Sequence, residues 1–207
     1  MPSNLDQVLQ RTRQYWFVDG LAEIVLGGLF LILGLFFYAQ VYFGENSLLS
    51  NLLQSGFALI FIGAFLTGRR LIAILKARIT YPRTGYVAYQ QSGRKNNLLS
   101  AGFAILVAAI VALMFKTAPD SLDWMPAITG ALGGLIFFIA ANQLNVLRFY
   151  ALSLISLAIG VGLSVAGLGN LRGLAGYYAL MGLVIFFSGL LTLFSYLRDN
   201  QALPAED

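Results

Sequence analysis

Residues 16–43 read WFVDGLAEIVLGGLFLILGLFFYAQVYF. Asp19 and Glu23 are the only charged side chains in this stretch, and Leu, Phe, Ile and Gly make up most of the rest. A bilayer core about 30 Å thick is crossed by roughly 20 apolar residues in an α-helix. The stretch therefore predicts a membrane-spanning helix.

The whole chain has the same character. Of its 207 residues, 58% are hydrophobic and 11% are charged, and the mean hydropathy is +0.77, which is unlike a soluble domain. Five further apolar stretches predict spans at 48–68, 98–115, 126–147, 149–168 and 174–197. We expect one all-α integral membrane domain over residues 1–207, a polytopic bundle of six helices.

A polar interruption separates the fourth and fifth predicted spans. Without it the apolar stretch would be too long for one helix to cross a bilayer. The interrupting residues are Asn142, Gln143, Asn145 and Arg148. They predict a tight helical hairpin.

Orientation follows from the basic residues. Of the 13 Lys and Arg residues, all but Lys116 and Arg172 fall on one side of the predicted membrane. The positive-inside rule then places both termini in the cytoplasm. Before the first span, residues 1–15 carry Leu5, Val8 and Leu9 at helical spacing, which predicts a short amphipathic helix at the interface.

Cysteine and histidine are both absent. Their absence removes thiolate and imidazole metal ligands and the commonest general base. No nucleophile motif stands in a convincing context. We expect no metal, no cofactor and no catalytic activity.

Small residues recur at a spacing of seven in all six spans, and this repeat predicts close helix packing. We call these stripes the glycine seams: Gly20, Gly27 and Gly34; Gly56 and Gly63; Ala101 and Ala108; Ala127, Gly134 and Ala141; Ser153, Gly160 and Gly167; Gly182 and Gly189. In the fifth span, hydroxyls share one face at Ser153, Ser156 and Ser164. Packing is the favoured interpretation of these hydroxyls, and a polar path is the alternative.

Asp19 and Glu23 are the candidate functional carboxylates, and their spacing of four residues predicts that they share one helical face. Glu23 lies between Gly20 and Gly27 on a seam, so it is predicted to face protein. Intramembrane carboxylates often mark ion or proton paths. The alternative is a structural ion pair with a basic residue at the same level, for which the candidates are Arg69, Arg70 and Arg148.

The predicted cytoplasmic loop, residues 76–97, is basic and rich in tyrosine. Pro82 and Gly85 suit a type I turn between two β-like runs, so a small hairpin is one interpretation. These charges either set topology alone or bind anionic lipid or a protein partner. No RNA-binding motif accompanies them, and we expect no nucleic acid. The candidate binding residues are Lys76, Arg78, Tyr81, Arg83, Tyr86, Tyr89, Arg94 and Lys95.

The segment Tyr-Pro-Arg-Thr-Gly-Tyr-Val at 81–87 resembles the loop of a family of uncharacterised prokaryotic six-span membrane proteins. The resemblance implies a multi-pass protein of the prokaryotic plasma (inner) membrane. It brings no catalytic residue with it.

Two functions are compatible with these observations. The first is a non-catalytic scaffold or accessory subunit whose basic loop contacts anionic lipid or a protein partner. The alternative is a small secondary transporter or channel that uses Glu23 as an intramembrane carboxylate. The scarcity of charge within the spans favours the first, and either function allows an oligomer.

Overall fold

The computed structural model describes residues 17–44, 47–80, 123–144 and 146–200. The regular elements within these ranges are all helical, which confirms the all-α prediction for them. They are α1 (Leu21–Phe43), α2 (Leu48–Leu75), a π-helical turn (Lys76–Thr80), α3 (Met125–Leu144), α4 (Leu147–Val165) and α5 (Asn170–Asp199). The predicted N-terminal helix at 1–15 and the predicted third span at 98–115 lie outside the described residues.

Four of these helices, α1, α3, α4 and α5, are long and apolar enough to cross a membrane. Their outward faces carry large apolar side chains, such as Leu35, Leu154 and Leu191, which are 68%, 70% and 71% exposed. Apolar surface on this scale suits lipid better than water. The chain therefore has the build of a multi-pass membrane protein, while the count of six spans and the orientation stay predictions.

The first helix begins five residues later than the predicted span. Residues 17–20 form a turn, and Gly20 adopts φ 70°, ψ −5°, a left-handed conformation that stops the helix from extending backwards. A Cβ at this position would also collide with the backbone of Gly189. Glycine is thus required at position 20 for two reasons, the left-handed backbone conformation and the close contact with Gly189.

The second helix is longer than the predicted span, which ended at residue 68. It continues through Arg69 and Arg70, which are exposed, to Leu75, and a π-helical turn follows to Thr80. Residues 71–75 are apolar and contain no helix breaker, and the next proline is Pro82. The β-like interpretation of 78–80 is therefore wrong, and the rest of the predicted hairpin lies outside the described residues.

The chain divides into two compact units, with the boundary inside α5. The two units are named after their place in the sequence. The outer unit comprises the two ends of the chain, residues 1–88 and 178–207, and contains α1, α2, the π-helical turn and the second part of α5. The central unit comprises residues 89–177, and contains α3, α4 and the first part of α5.

In the outer unit, α1 packs antiparallel against α5 through glycines. A Cβ on Gly27 would lie 2.8 Å from the carbonyl oxygen of Gly182, and one on Gly189 would lie 2.8 Å from the carbonyl oxygen of Gly20. Since real Cβ atoms do not approach this closely, only glycine allows this spacing of the backbones. Two of the predicted seams thus meet each other.

In the central unit, α3 and α4 form the predicted tight hairpin. The two backbones approach closely at Gly130 and Gly160, where a Cβ on either glycine would lie 2.8 Å from the Cα of the other. At the connection, the Tyr150 hydroxyl donates to Asn142 Oδ1 at 2.9 Å. Two seam residues depart from the prediction: Gly167 lies in the turn after α4 with φ 72°, and a Cβ on Gly63 of α2 would meet nothing within 4 Å, so Gly63 makes no close contact with the described residues.

The serine hydroxyls of α4 serve helix packing, as predicted. Ser153 Oγ donates to the Gly134 carbonyl at 2.6 Å, and Ser156 Oγ donates to the Gly130 carbonyl at 2.9 Å. Further along, Ser164 Oγ accepts from the backbone N–H of Ala127 at 3.1 Å. Hydrogen bonds between side chains and the facing backbone stabilise helix pairs in lipid.

Candidate functional site

The carboxylate of Asp19 stands at the start of α1 and is fully buried, with 0% of the residue exposed. Asp19 belongs to the turn that precedes the helix, which corrects the prediction that it shares a helical face with Glu23. Its Oδ1 accepts the backbone N–H of Leu21 at 3.2 Å. This bond satisfies one of the N–H groups that a first helical turn leaves without an intrahelical acceptor.

The second carboxylate oxygen binds the π-helical turn. Lys76 Nζ donates to Asp19 Oδ2 at 2.6 Å, and Thr80 Oγ1 donates to the same oxygen at 2.8 Å. Lys76 and Thr80 are each only 1% exposed. One carboxylate thus receives three donors from two separate parts of the outer unit, and we call Asp19, Lys76 and Thr80 the buried latch.

The buried latch corrects two sequence predictions. Lys76 was assigned to the basic loop that meets lipid or a partner, but it points into the protein because it neutralises a buried carboxylate. The structural partners proposed for the acidic pair were Arg69, Arg70 and Arg148, whereas the salt bridge of Asp19 is with Lys76. A buried carboxylate needs a close counter-charge, and Lys76 supplies it.

Glu23 occupies the first turn of α1 and is 2% exposed, in agreement with its predicted position on a glycine seam. Ser188 Oγ on α5 donates to Glu23 Oε2 at 3.2 Å. The N-terminal turn of a helix also favours a negative charge, since the backbone N–H groups there carry partial positive charge. Glu23 therefore lies in the interior of the outer unit, four residues along the chain from Asp19.

The remaining predicted site residues divide into two groups. Arg78 lies on the π-helical turn and is exposed, so it points away from the buried latch. Outside the described residues are Tyr81, Arg83, Tyr86, Tyr89, Arg94 and Lys95. Arg148, which was a predicted partner of the acidic pair, belongs to the central unit, and its guanidinium lies 5.6 Å from the centre of the Phe149 ring.

Sequence reasoning missed Thr80 and Ser188 and misassigned Lys76. A signal for Lys76 was present, because it is the first charge after the apolar residues 71–75. Two consecutive spans return the chain to the side on which it started, so the start of the first and the end of the second lie at one level. Asp19 and Lys76 hold those positions. No comparable signal points to Thr80 or Ser188.

The central unit contains a smaller polar site. Ser156 and Tyr177 are almost completely buried, and their hydroxyl oxygens lie 2.7 Å apart. Ser156 uses its only proton for the Gly130 carbonyl, so Tyr177 must be the donor between the two hydroxyls. Gly133 makes room for this pair, since a Cβ there would lie 2.8 Å from Ser156 Oγ.

The described residues contain no group of three or more acidic side chains placed to hold a metal ion. No protein-family model, curated protein or solved structure matches this chain. Function must therefore be inferred from the chain's own geometry.

Proposed function

We propose that the chain is a non-catalytic scaffold or accessory subunit of the prokaryotic plasma membrane. In this proposal it has six spans and both termini in the cytoplasm. Its basic segment, residues 76–97, contacts anionic lipid or a protein partner. The proposed family resemblance of residues 81–87 belongs to the same hypothesis.

The observation that carries the proposal is the opposite direction of two neighbouring basic side chains. Lys76 points inward to Asp19, and Arg78, two residues later, is exposed. The buried latch thus ties the beginning of the basic segment to the start of α1. A segment fixed at its root loses less conformational entropy on binding than a free one.

The proposal is also supported by the way in which polar side chains inside each unit bond to other groups of the chain. Asp19 is neutralised within the chain, and the hydroxyls of Ser153 and Ser156 bond to the backbone of α3. Groups engaged in this way stabilise packing. The exposed charges of the outer unit, such as Arg69, Arg70 and Arg78, remain for an external ligand.

The test is equilibrium binding of fluorescent phosphatidylglycerol to the purified chain in an uncharged detergent. Replacing Arg83, Arg94 and Lys95 together by Gln should weaken binding by about tenfold or more at low salt, since each basic residue near an anionic surface contributes about 1 kcal/mol. The difference should shrink at high salt because exposed charges are screened. The matched control replaces Lys116 and Arg172, which lie on the opposite predicted side.

A protein partner gives a different result in the same variants. Phosphatidylglycerol binding would be unchanged, and a protein that co-purifies with the wild-type chain in mild detergent would be lost from the triple variant alone. If neither lipid binding nor co-purification changes, these charges serve topology only and the proposed function is wrong.

One observation favours the second candidate, a small secondary transporter or channel. Glu23 is a carboxylate that is 2% exposed, and it is the one charged side chain of α1. If Glu23 couples transport, Glu23→Gln should abolish a proton- or cation-dependent flux in proteoliposomes without changing thermal stability. If Glu23 is structural, the same substitution should lower thermal stability, and a flux, if there is one, should fall only with folding.

A further inference from the structure

An apolar groove runs along the outer unit between α1 and α2, with a volume of about 400 Å³. Ile24, Gly28 and Ile32 line it from α1, Thr67 and Leu75 line it from α2, and Phe186 of α5 contributes to it. Ile32 is 49% exposed, and Leu71, another lining residue, is 46% exposed. The groove is therefore open along its side, where a membrane-spanning helix meets lipid.

The dimensions of the groove match one leaflet of a bilayer. Its lining on α2 extends from Ala64 to Leu75, which corresponds to about 16 Å of helix. Half of a hydrocarbon core about 30 Å thick is about 15 Å. Among the described residues of the lining, Thr67 alone has a polar side chain, so an aliphatic chain is a suitable occupant.

Positive charge stands beside this groove. Arg70 follows the lining residue Thr67 by three positions on α2, so it neighbours Thr67 on the helix surface, and Arg78 lies on the π-helical turn, three residues beyond the lining residue Leu75. Both arginines are exposed, and a long arginine side chain can place its guanidinium beside a lipid headgroup. The neighbouring Lys76 is already neutralised by Asp19, so the groove end has a net positive charge that is suited to an anion.

We propose that this groove binds one acyl chain of an anionic phospholipid, with the headgroup phosphate held by Arg70 and Arg78. This inference rests on the proposed function and adds a second binding site for the same class of lipid. Arginine binds phosphate oxygens through paired N–H donors, and apolar burial of the chain adds affinity without selecting the headgroup. The two parts of the site are therefore separable by mutation.

The groove is tested by Gly28→Leu. Gly28 lines it, and nothing lies within 4 Å of a Cβ built there, so a leucine fills the groove without striking the backbone. Native mass spectrometry of the purified chain with phosphatidylglycerol or phosphatidylcholine should show about tenfold weaker binding of both lipids. The matched control is Gly63→Leu on α2, where a Cβ also meets nothing within 4 Å and which is not among the described lining residues of this groove.

The headgroup contact is tested by replacing Arg70 and Arg78 with Gln. The preference for phosphatidylglycerol over phosphatidylcholine should fall by about tenfold, while binding of phosphatidylcholine stays as in the wild type. Arg172→Gln is the control for loss of one exposed charge elsewhere. A thermal unfolding scan of each variant shows whether the fold is retained. For the groove test, Ile32→Trp is a second variant that fills the groove.

Several results would overturn the inference. If Gly28→Leu and Ile32→Trp both fold and bind lipid like the wild type, the groove holds no acyl chain, even if the Arg83, Arg94 and Lys95 variant loses lipid and the proposed function stands. If the groove variants lose lipid while the triple variant binds it fully, the acyl-chain site in the groove is supported and lipid binding by the basic segment, residues 76–97, is contradicted. A photo-crosslinker at residue 32 that captures residues 98–115 or a second copy, instead of lipid, would assign the groove to that protein segment.

Discussion

The outer and central units use similar helix packing but bury different chemistry. Both bring antiparallel helices together through glycines, at Gly27 with Gly182 in one and at Gly130 with Gly160 in the other. Among the described residues, the buried charged side chains Asp19, Glu23 and Lys76 all belong to the outer unit. In the central unit the buried polar site is a pair of neutral hydroxyls, from Ser156 and Tyr177.

Glycine packing alone therefore does not distinguish a structural unit from a candidate functional one. Neutral hydroxyls next to helix carbonyls are inexpensive to bury, because each keeps its hydrogen bond. A buried ion pair must overcome the desolvation of two charges, and we expect it here to fix one particular arrangement of the elements that it joins. In the outer unit that arrangement is the junction between α1 and the π-helical turn.

The largest expected effect comes from removing half of the ion pair. Lys76→Met should lower the free energy of unfolding by about 3–5 kcal/mol, because it leaves the Asp19 carboxylate buried without its counter-charge. Thermal and denaturant unfolding in detergent measure the loss. Arg78→Met, an exposed neighbour, should change stability by less than about 0.5 kcal/mol.

A double-mutant cycle separates the pair from its surroundings. Combining Asp19→Asn with Lys76→Met should recover much of the stability lost in the single variant, because no uncompensated charge remains. Additive losses in the double variant would mean that the two side chains act independently, which contradicts the buried latch.

An intermediate effect is expected at the glycine contacts of both units. Gly27→Ala and Gly130→Ala should each destabilise the chain by about 1–3 kcal/mol, because the added methyl would lie within 3 Å of facing backbone atoms. Apparent unfolding temperatures in detergent provide the comparison. Similar losses at the two positions would confirm that packing is common to both units.

Two helical glycines without close contacts, one in each unit, are the controls for this prediction. A Cβ on Gly28 or Gly162 meets nothing within 4 Å, so alanine there should be neutral or stabilising by up to about 1 kcal/mol, since alanine favours helix more than glycine does. Equal losses at Gly27 and Gly28 would show that helix flexibility, instead of close contact, explains these glycines.

The smallest expected effect is in the central unit. Tyr177→Phe should cost about 1 kcal/mol, because Ser156 loses one hydrogen-bond donor but keeps its bond to the Gly130 carbonyl. Tyr38→Phe, at a residue that is 60% exposed, is the control and should be close to neutral. A loss at Tyr177 as large as that of Lys76→Met would remove the energetic distinction between the units.

Much of the fold could be predicted from local pattern. The apolar stretches identified the helices, and the polar residues from Asn142 to Arg148 located the hairpin between α3 and α4. The spacing of Gly20, Glu23 and Gly27 correctly predicted that Glu23 faces protein. Less of the candidate site could be predicted, because Lys76 looked like any other residue of a basic loop and Thr80 like part of a strand.

The positions of the described helices, and the helix faces that carry small residues for packing, can be read from the amino-acid sequence, since both depend on residues three, four or seven apart. The inward direction of Lys76 cannot, because its partner Asp19 lies 57 residues away in the chain, and the same holds for the exposed position of Arg78. The π-helical turn was equally hidden from local pattern. Its residues Lys76 and Thr80 both bind Asp19, so the acceptor that this turn serves exists only after α1 and α2 have come together.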